Sequence, residues 1–149
     1  MVACPPIFTL IDPNSMNAKK IFFDTNTLLY LLSSDSKKAD WVSSNLQQSN
    51  VISVQVLSEF TSASLRKIKI SNNELDEFLD LFMSIFNIRP LNVETFETGL
   101  AVSRRYGYHH YDSMIIAAAL QAGCETLYSE DMHHRQMIDK RLQIVNPFI

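Results

Sequence analysis

The sequence of 149 residues has only two cysteines, three glycines and one tryptophan. Cys4 and Cys124 are far apart and form no CxxC pair, which excludes a disulfide framework, gives no basis for structural zinc and suits a reducing cytosol. The glycines are isolated, so no glycine-rich loop is present to bind a nucleotide phosphate. No serine or cysteine stands in a nucleophile motif, so covalent catalysis has little support.

The chain also lacks a long hydrophobic run and an excess of basic charge. No apolar stretch approaches the roughly 20 residues needed to span a bilayer, and the N-terminal segment lacks the basic start of a signal peptide. We therefore expect a soluble, cytoplasmic protein with no membrane partner. The net charge of −3 excludes a wholly basic surface but allows local basic patches.

The 46% hydrophobic content is enough for one buried core, and the pattern divides the chain into two regions. Residues 1–19 contain three prolines and no sustained hydrophobic period, so we expect a leader outside the domain with a disordered start. Residues 20–149 are expected to form a single domain in which strands and helices alternate. The strands are predicted at 21–23, 50–54, 88–91, 125–129 and 142–145, and the helices at 28–32, 37–48, 55–67, 71–85, 93–106 and 111–122.

This alternation, with no hairpin signal between strands, predicts an α/β fold with a mainly parallel sheet and helices on both faces. Ligands of such sheets bind beyond the carboxyl ends of the strands. Asp24 follows the first strand, Asp131 follows a later one, Glu59 lies in the helix leaving the second strand, and Asp112 begins a helix. A cluster of these four acids would repel itself unless a divalent cation lay inside it, so metal-dependent chemistry on a phosphate is the leading hypothesis.

Helix capping is the competing role for two of these acids. Asp24 precedes a helix and Asp112 stands at the start of another, and aspartate at a helix start commonly accepts a hydrogen bond from the first backbone amides. Thr25 and Asn26 could cap the first of these helices and Ser113 the other. In that arrangement both aspartates remain available to a metal ion.

The remaining candidates also have more than one possible role. Glu59 could pair with Arg66 two turns along the same helix or serve as a metal ligand, and Arg66 could instead contact a substrate phosphate. Of the adjacent acids Glu130 and Asp131, only one can readily point into a site, and we favour Asp131. Ser129 could orient a carboxylate or a bound water.

Four histidines form two adjacent pairs, His109 with His110 and His133 with His134. Adjacent histidines rarely bind one ion, and no cysteine is suitably spaced to complete a zinc site. Surface or substrate-contact roles are therefore favoured for both pairs.

The motifs around the four acids resemble those of the PIN domain family, and more closely those of the VapC-type toxin nucleases of bacterial and archaeal toxin–antitoxin modules. The resemblance runs from about Lys20 to the C-terminus, and the order and spacing of the motifs carry it. In this sequence the motifs read FDTN at 23–26, ISVQVLSE at 52–59, YDSMI at 111–115 before an alanine-rich helix, YSEDM at 128–132, and IVNPF at 144–148.

The resemblance implies a three-layer α/β/α fold and an endoribonuclease that a cognate antitoxin restrains. It also implies a homodimer. The Mg²⁺ or Mn²⁺ site that it implies is built from Asp24, Glu59, Asp112 and Asp131, which would also be the catalytic residues. Thr25, Asn26 and Ser129 would orient these ligands.

Two other functions remain open from the residues alone. One is an RNA- or protein-binding module that uses the acidic cluster without cleaving anything. The other is a metal-dependent phosphatase, because open parallel sheets with carboxylate sites also serve that chemistry. The DxDxT pattern of a phosphatase nucleophile is absent, since position 26 is asparagine.

Overall fold

A computed structural model describes residues 19–149. The predicted leader, 1–19, lies outside the described residues apart from Lys19, and it stays a prediction. Within the described part the strands are β1 (Ile21–Phe23), β2 (Val51–Ser53), β3 (Asn87–Arg89), β4 (Thr126–Tyr128), β5 (Met137–Ile138) and β6 (Leu142–Val145). The helices are α1 (Thr25–Leu29), α2 (Ser36–Asn45), α3 (Val54–Ala63), α4 (Asn72–Ile85), α5 (Val93–Tyr106) and α6 (His110–Gln121). A 3-10 turn (Tyr30–Leu32) follows α1, and a π-helical turn (Ser64–Ile68) follows α3.

The six strands form one sheet in the order β3-β2-β1-β4-β6-β5. All neighbours pair in parallel except β5, which runs antiparallel to β6. The predicted three-layer α/β/α fold with a mainly parallel sheet is therefore confirmed. The chain leaves β1 toward β2 on one side and reaches β4 on the other, so the carboxyl end of β1 lies at a topological switch point.

The hairpin of β5 and β6 is the one element pair that the sequence pattern missed. A two-residue strand is too short to show an alternating period. Its turn uses Asp139 at φ 49° and Lys140 at φ 57°, although neither residue is glycine. Because tight hairpins are usually signalled by Asn-Gly or Asp-Gly, this turn carried no recognisable sequence signal.

Capping residues mark the starts of the two long helices, α4 and α5, and the end of α5. Ser71 accepts a hydrogen bond from the Glu74 amide at the start of α4. Asn92 and Thr95 form a reciprocal capping box at the start of α5, and Gly107, at φ 77°, ends that helix in the left-handed conformation that glycine adopts at low cost. The predicted helix at 93–106 therefore matches α5 at both ends.

Helix α6 is the most buried helix of the chain, and every residue from Ser113 to Leu120 is buried. Helix α5 packs closely against it at Gly99, where an added Cβ would lie 2.7 Å from the Met114 sulfur. This packing fixes the start of α6, and with it Asp112, relative to the sheet. No helix in residues 19–149 is long and apolar enough to cross a membrane.

A second part of the core is a cluster of phenylalanine rings between α3 and α4. The Phe82 ring is fully buried, and its centroid lies 4.9 Å from that of Phe60 and 5.7 Å from that of Phe86. These edge-to-face contacts anchor α4 to the helix that carries Glu59.

We predict that Phe82→Ala lowers the free energy of unfolding by about 3–5 kcal/mol, because it removes a buried ring and leaves a cavity. Urea denaturation followed by circular dichroism measures this change. The matched control is Met83→Ala on the same helix, since Met83 is 55% exposed. That control should stay within about 0.5 kcal/mol of the parent chain. Equal losses in both variants would contradict the packing described here.

Candidate active site

All four predicted acids line one pocket beyond the carboxyl ends of β1, β2 and β4. The pocket has a volume of about 420 Å³. Its complete lining is Asp24, Thr25, Asn26, Leu29, Glu59, Ser62, Ala63, Arg66, Lys67, Asp112 and Asp131. Of the eight residues that the sequence proposed for the site, only Ser129 is outside this lining, and its hydroxyl bonds directly to Asp24.

Asp24 lies at the bottom of the pocket and is 5% exposed. Its Oδ1 accepts a hydrogen bond from the Thr25 backbone N–H at 2.8 Å, so Asp24 itself caps α1. This differs from the alternative in which Thr25 or Asn26 supplies the cap. The Ser129 hydroxyl donates to Asp24 Oδ2 at 2.8 Å, so both carboxylate oxygens are held in place.

Burial raises the pKa of Asp24 to about 7. The hydrogen bonds from Ser129 and Thr25 oppose this change, because they favour the charged form. The negative charges of Glu59 and Asp112 raise the pKa further. Folding therefore places a carboxylate where its charge is unfavourable without a compensating positive charge.

Glu59 is held by two donors from different helices. The Thr25 hydroxyl donates to Glu59 Oε2 at 2.9 Å, and the Gln55 amide donates to Oε1 at 2.6 Å. The same amide nitrogen of Gln55 lies 3.0 Å from the backbone carbonyl oxygen of Tyr111, the residue before Asp112. Gln55 thereby connects the Glu59 carboxylate to the start of α6.

Asn26 connects two of the acids through its side-chain amide. The Asn26 Nδ2 donates to Asp131 Oδ2 at 2.9 Å and to Asp24 Oδ2 at 3.3 Å. The Asn26 Oδ1 accepts from the Glu130 backbone N–H at 3.2 Å and from the Thr27 hydroxyl at 3.1 Å. Because these two donors engage Asn26 Oδ1, the NH₂ group of the same side chain points toward the carboxylates of Asp24 and Asp131.

Asp112 stands half-buried in the first turn of α6, as the sequence predicted. Burial raises the pKa of this carboxyl, and the charges of Asp131 and Glu59 raise it further, while His109 lowers it. Two members of the cluster, Asp24 and Asp112, are thus destabilised as anions, first by burial and then by the other acids around them. Mutual repulsion of this kind is what a bound cation relieves.

The pocket has the right type of donor atoms for a divalent cation, but the side chains as placed do not form a ligand set. Carboxylate oxygens are the donors that Mg²⁺ and Mn²⁺ prefer, and four of them face one space. None of the salt bridges found within residues 19–149 involves a pocket residue. However, no group of three or more His, Cys, Asp or Glu side chains in that range lies close enough together to hold an ion. Binding would therefore require the acids to rotate toward one another.

Two basic side chains, Arg66 and Lys67, lie at the rim of the same pocket on the π-helical turn after α3. The alternative ion pair between Glu59 and Arg66 is not formed, and Glu59 is bonded to uncharged donors instead. The rim therefore has positive charge available to a ligand, above acids that carry negative charge.

Sequence reasoning missed Gln55, which holds Glu59 from outside the lining, and Lys67, which lines the pocket. Gln55 lies four residues before Glu59, and that i, i+4 spacing was the available signal for their hydrogen bond. Lys67 had no such signal, because consecutive side chains on a regular α-helix point about 100° apart and only Arg66 was expected on the Glu59 face.

The two adjacent acids after β4 point to different places. Asp131 lines the pocket, whereas the Glu130 carboxylate bonds to Tyr30 and Lys38. None of the four histidines is among the residues that line the pocket. Three of the histidines have contacts elsewhere: His134 Nδ1 accepts a hydrogen bond from the Asn146 backbone N–H, His133 packs on Tyr108, and His110 packs on Phe96 and Tyr111.

Fold and site together define a class, an open parallel α/β sheet with an acidic pocket at its topological switch point. The family model described as PIN domain matches residues 21–140. The chain therefore belongs to the PIN domain family, which confirms the resemblance read from its motifs. No protein of curated function matches it in sequence.

Several solved structures share this fold at low sequence identity. A toxin–antitoxin complex from Klebsiella pneumoniae is 22% identical with a TM-score of 0.66, and the match covers 86% of this chain and 98% of that one. VapC20 of Mycobacterium tuberculosis, a toxin that cleaves the sarcin–ricin loop, is 18% identical with a TM-score of 0.59, over 74% and 89% of the two chains. VapBC2 from Rickettsia felis, bound to a fragment of promoter DNA, is 20% identical with a TM-score of 0.56, over 84% and 98%.

The raised pKa of Asp24 leads to a prediction about stability and pH. Because the folded pKa is near 7 and the ordinary value is 3.8, the folded chain binds the proton more tightly than the unfolded chain. The stability linked to this proton is fully present below pH 4 and is lost as the pH rises to about 7. Asp24→Asn removes this dependence. We expect the unfolding free energy of the variant, relative to the parent chain, to increase from pH 4 to pH 8 by on the order of 1–4 kcal/mol.

Urea titrations in EDTA at several pH values measure the difference. The control is Asp76→Asn, which changes an exposed carboxylate on α4 and should show no such trend. A difference between the Asp24 variant and the parent that is constant across this pH range would show that Asp24 is not buried as described.

Proposed function

We propose that this PIN domain is a Mg²⁺- or Mn²⁺-dependent endoribonuclease, which hydrolyses phosphodiester bonds of single-stranded or structured RNA. We further propose that it is the toxin of a toxin–antitoxin pair. One observation carries the proposal, the presence of Asp24, Glu59, Asp112 and Asp131 in a single pocket with two basic side chains at its rim. Both the acids and the basic rim suit a phosphodiester. Its anionic oxygens can pair with the basic side chains, and its hydrolysis benefits from a cation, which the acids could hold beside those oxygens.

The four carboxylates are the residues that would hold the cation, with Asp24 and Asp112 as the central ligands. When bound, a divalent ion supplies Lewis-acid polarisation of the phosphate and lowers the pKa of water. Asp24 is already fixed by Thr25 and Ser129, so its oxygens need little further ordering.

The other pocket residues would orient the acids and bind substrate. Thr25 and Gln55 hold Glu59, and the Asn26 amide holds Asp131. The exposed Arg66 and its neighbour Lys67 would contact backbone phosphates on the 5′ or 3′ side of the scissile bond. Such contacts position an RNA strand without reading its bases.

The similar structures support the partners in this proposal. The Klebsiella pneumoniae relative is a toxin–antitoxin complex, and VapC20 is a toxin that cleaves the sarcin–ricin loop. By analogy, a cognate antitoxin would bind this chain and restrain it, and the active form would be a homodimer. RNA as substrate places the activity in the cytoplasm.

The central prediction is that the purified chain cuts an RNA oligonucleotide only when Mg²⁺ or Mn²⁺ is added, and that Asp24→Asn reduces the cleavage rate at least about a hundredfold. The reason is that a lost ligand forfeits several kcal/mol of transition-state stabilisation, and each 1.4 kcal/mol is tenfold in rate. Gel electrophoresis of end-labelled RNA measures the rate. Asp76→Asn is the control and should cut at the parent rate.

Two further measurements, of RNA binding and of phosphate-monoester hydrolysis, separate the alternative functions. Tight RNA binding without cation-stimulated cleavage would favour a binding module, and faster hydrolysis of a phosphate monoester than of RNA would favour a phosphatase. Undiminished cutting by the folded Asp24→Asn chain would reject the proposed site.

A second prediction concerns the rim. We expect Arg66→Gln to raise KM for RNA several-fold with kcat within about twofold, because a phosphate contact in the ground state is also present in the transition state. The slope of log KM against log salt concentration should fall in magnitude by about 0.7, the value for one neutralised phosphate of a single strand. The control is Arg104→Gln, an exposed arginine on α5 that is not part of the pocket. A fall in kcat with unchanged KM would assign Arg66 to another role.

A further inference from the structure

A polar triad of Tyr30, Lys38 and Glu130 lies beside the pocket and takes no part in lining it. The Lys38 ammonium donates to Glu130 Oε1 at 3.0 Å and to the Tyr30 hydroxyl at 3.0 Å. The Tyr30 hydroxyl donates in turn to the other carboxylate oxygen, Glu130 Oε2, at 2.5 Å. All three members are thus bonded to one another.

The Lys38 ammonium also packs on two aromatic rings, that of Tyr30 itself and that of Phe148. The Lys38 ammonium lies 4.4 Å from the centroid of the Tyr30 ring and 5.0 Å from that of Phe148, and the two rings pack edge to face. The Lys38 and Glu130 side chains are each 29% exposed. Partial shielding from water and a closed set of bonds make this ion pair stiffer than a typical surface pair.

The triad joins three segments that carry or adjoin the site. Tyr30 belongs to the turn that continues α1, whose first residues are Thr25 and Asn26. Lys38 lies in the first turns of α2, and Glu130 follows β4. The side-chain bonds of Glu130 therefore fix the loop after β4 against the helices that follow β1.

Two links connect the triad to the acids of the pocket. Asp131 directly follows Glu130, and it is exposed, so little packing holds it in place. The Glu130 backbone N–H donates to Asn26 Oδ1 at 3.2 Å, and the Asn26 amide then donates to Asp131 at 2.9 Å. Fixing Glu130 thus sets both the position of Asp131 and the direction of the Asn26 amide.

We propose that Tyr30, Lys38 and Glu130 are positioning residues for the cation site, which hold the Asp131 segment and the Asn26 amide beside the other acids of the pocket. This inference rests on the proposed function of the pocket. The triad touches neither the cation nor RNA and acts only through its two neighbours. Outer residues that orient metal ligands typically change metal affinity or activity by about 10–100-fold when they are removed.

The test compares Lys38→Met with Lys37→Met in the full chain. Methionine keeps an apolar stem of similar length and removes the ammonium group, and Lys37 is an exposed neighbour of the same type. We expect Lys38→Met to weaken Mn²⁺ binding about tenfold or more, measured by calorimetry without RNA, and to lower kcat with KM for RNA within about twofold. Lys37→Met should match the parent chain. Lys38→Arg, which can still pair with Glu130, should restore most of the Mn²⁺ affinity.

NMR supplies a readout that needs neither cation nor RNA. The side-chain amide resonances of Asn26 should shift in Lys38→Met and in Tyr30→Phe, and should stay in place in Lys37→Met. Unchanged Asn26 resonances together with parent-like Mn²⁺ affinity would overturn the inference, even if the melting temperature of the variant fell. A raised KM with a flatter salt dependence and unchanged Mn²⁺ affinity would also overturn it, because Lys38 would then contact RNA directly.

This design keeps the two proposals distinguishable. If the parent chain binds Mn²⁺ and cuts RNA but Lys38→Met behaves identically, the triad inference fails and the proposed function stands. If the parent chain neither binds Mn²⁺ nor cuts RNA, the proposed function fails and the role assigned to the triad fails with it.

Discussion

Repulsion among carboxylates that folding forces together is the constraint on which this site depends. Asp24 is buried at the end of the central strand, and burial with nearby negative charge raises its pKa to about 7. Uncharged donors hold Asp24, Glu59 and Asp131 without neutralising them, namely the Thr25 amide and hydroxyl, the Ser129 hydroxyl and the side-chain amides of Asn26 and Gln55. The pocket is therefore ordered yet electrostatically incomplete, which is the condition that favours a cation.

The fold supplies the rigid frame for this arrangement. Because β1 lies between β2 and β4 in the sheet, the segments that leave these three strands meet at one edge. Helix α6 brings the fourth acid to the same edge, and its close packing at Gly99 of α5 fixes its approach. The exposed side chains of Asp131 and Arg66 lie on a loop and on a π-helical turn, and the distant Asn26 amide bonds to Asp131.

Positive and negative side chains occupy different parts of the pocket. This separation explains how a chain with a net negative charge could act on RNA, which is also negatively charged. The net charge of −3 describes the whole molecule, whereas a phosphate entering the pocket meets Arg66 and Lys67 at the rim. Under the proposed function, a cation held by the acids beneath them would in turn attract the phosphate. The arrangement of charges in the pocket thus matters more for substrate binding than the net charge of the molecule.

The sequence by itself determined the alternation of strands and helices, the ranges of α4 and α5, and the placement of Asp24, Glu59, Asp112 and Asp131 at or near the ends of elements, because these features depend on near neighbours in the chain. Tertiary structure alone decided that Asp24 caps its own helix, that Lys67 joins the rim and that Glu130 turns away to Tyr30 and Lys38. It also decided the β5–β6 hairpin, whose turn carries no glycine. The physical reason is that each of these outcomes depends on partners distant in sequence or on a local backbone geometry that no periodic pattern of residues encodes.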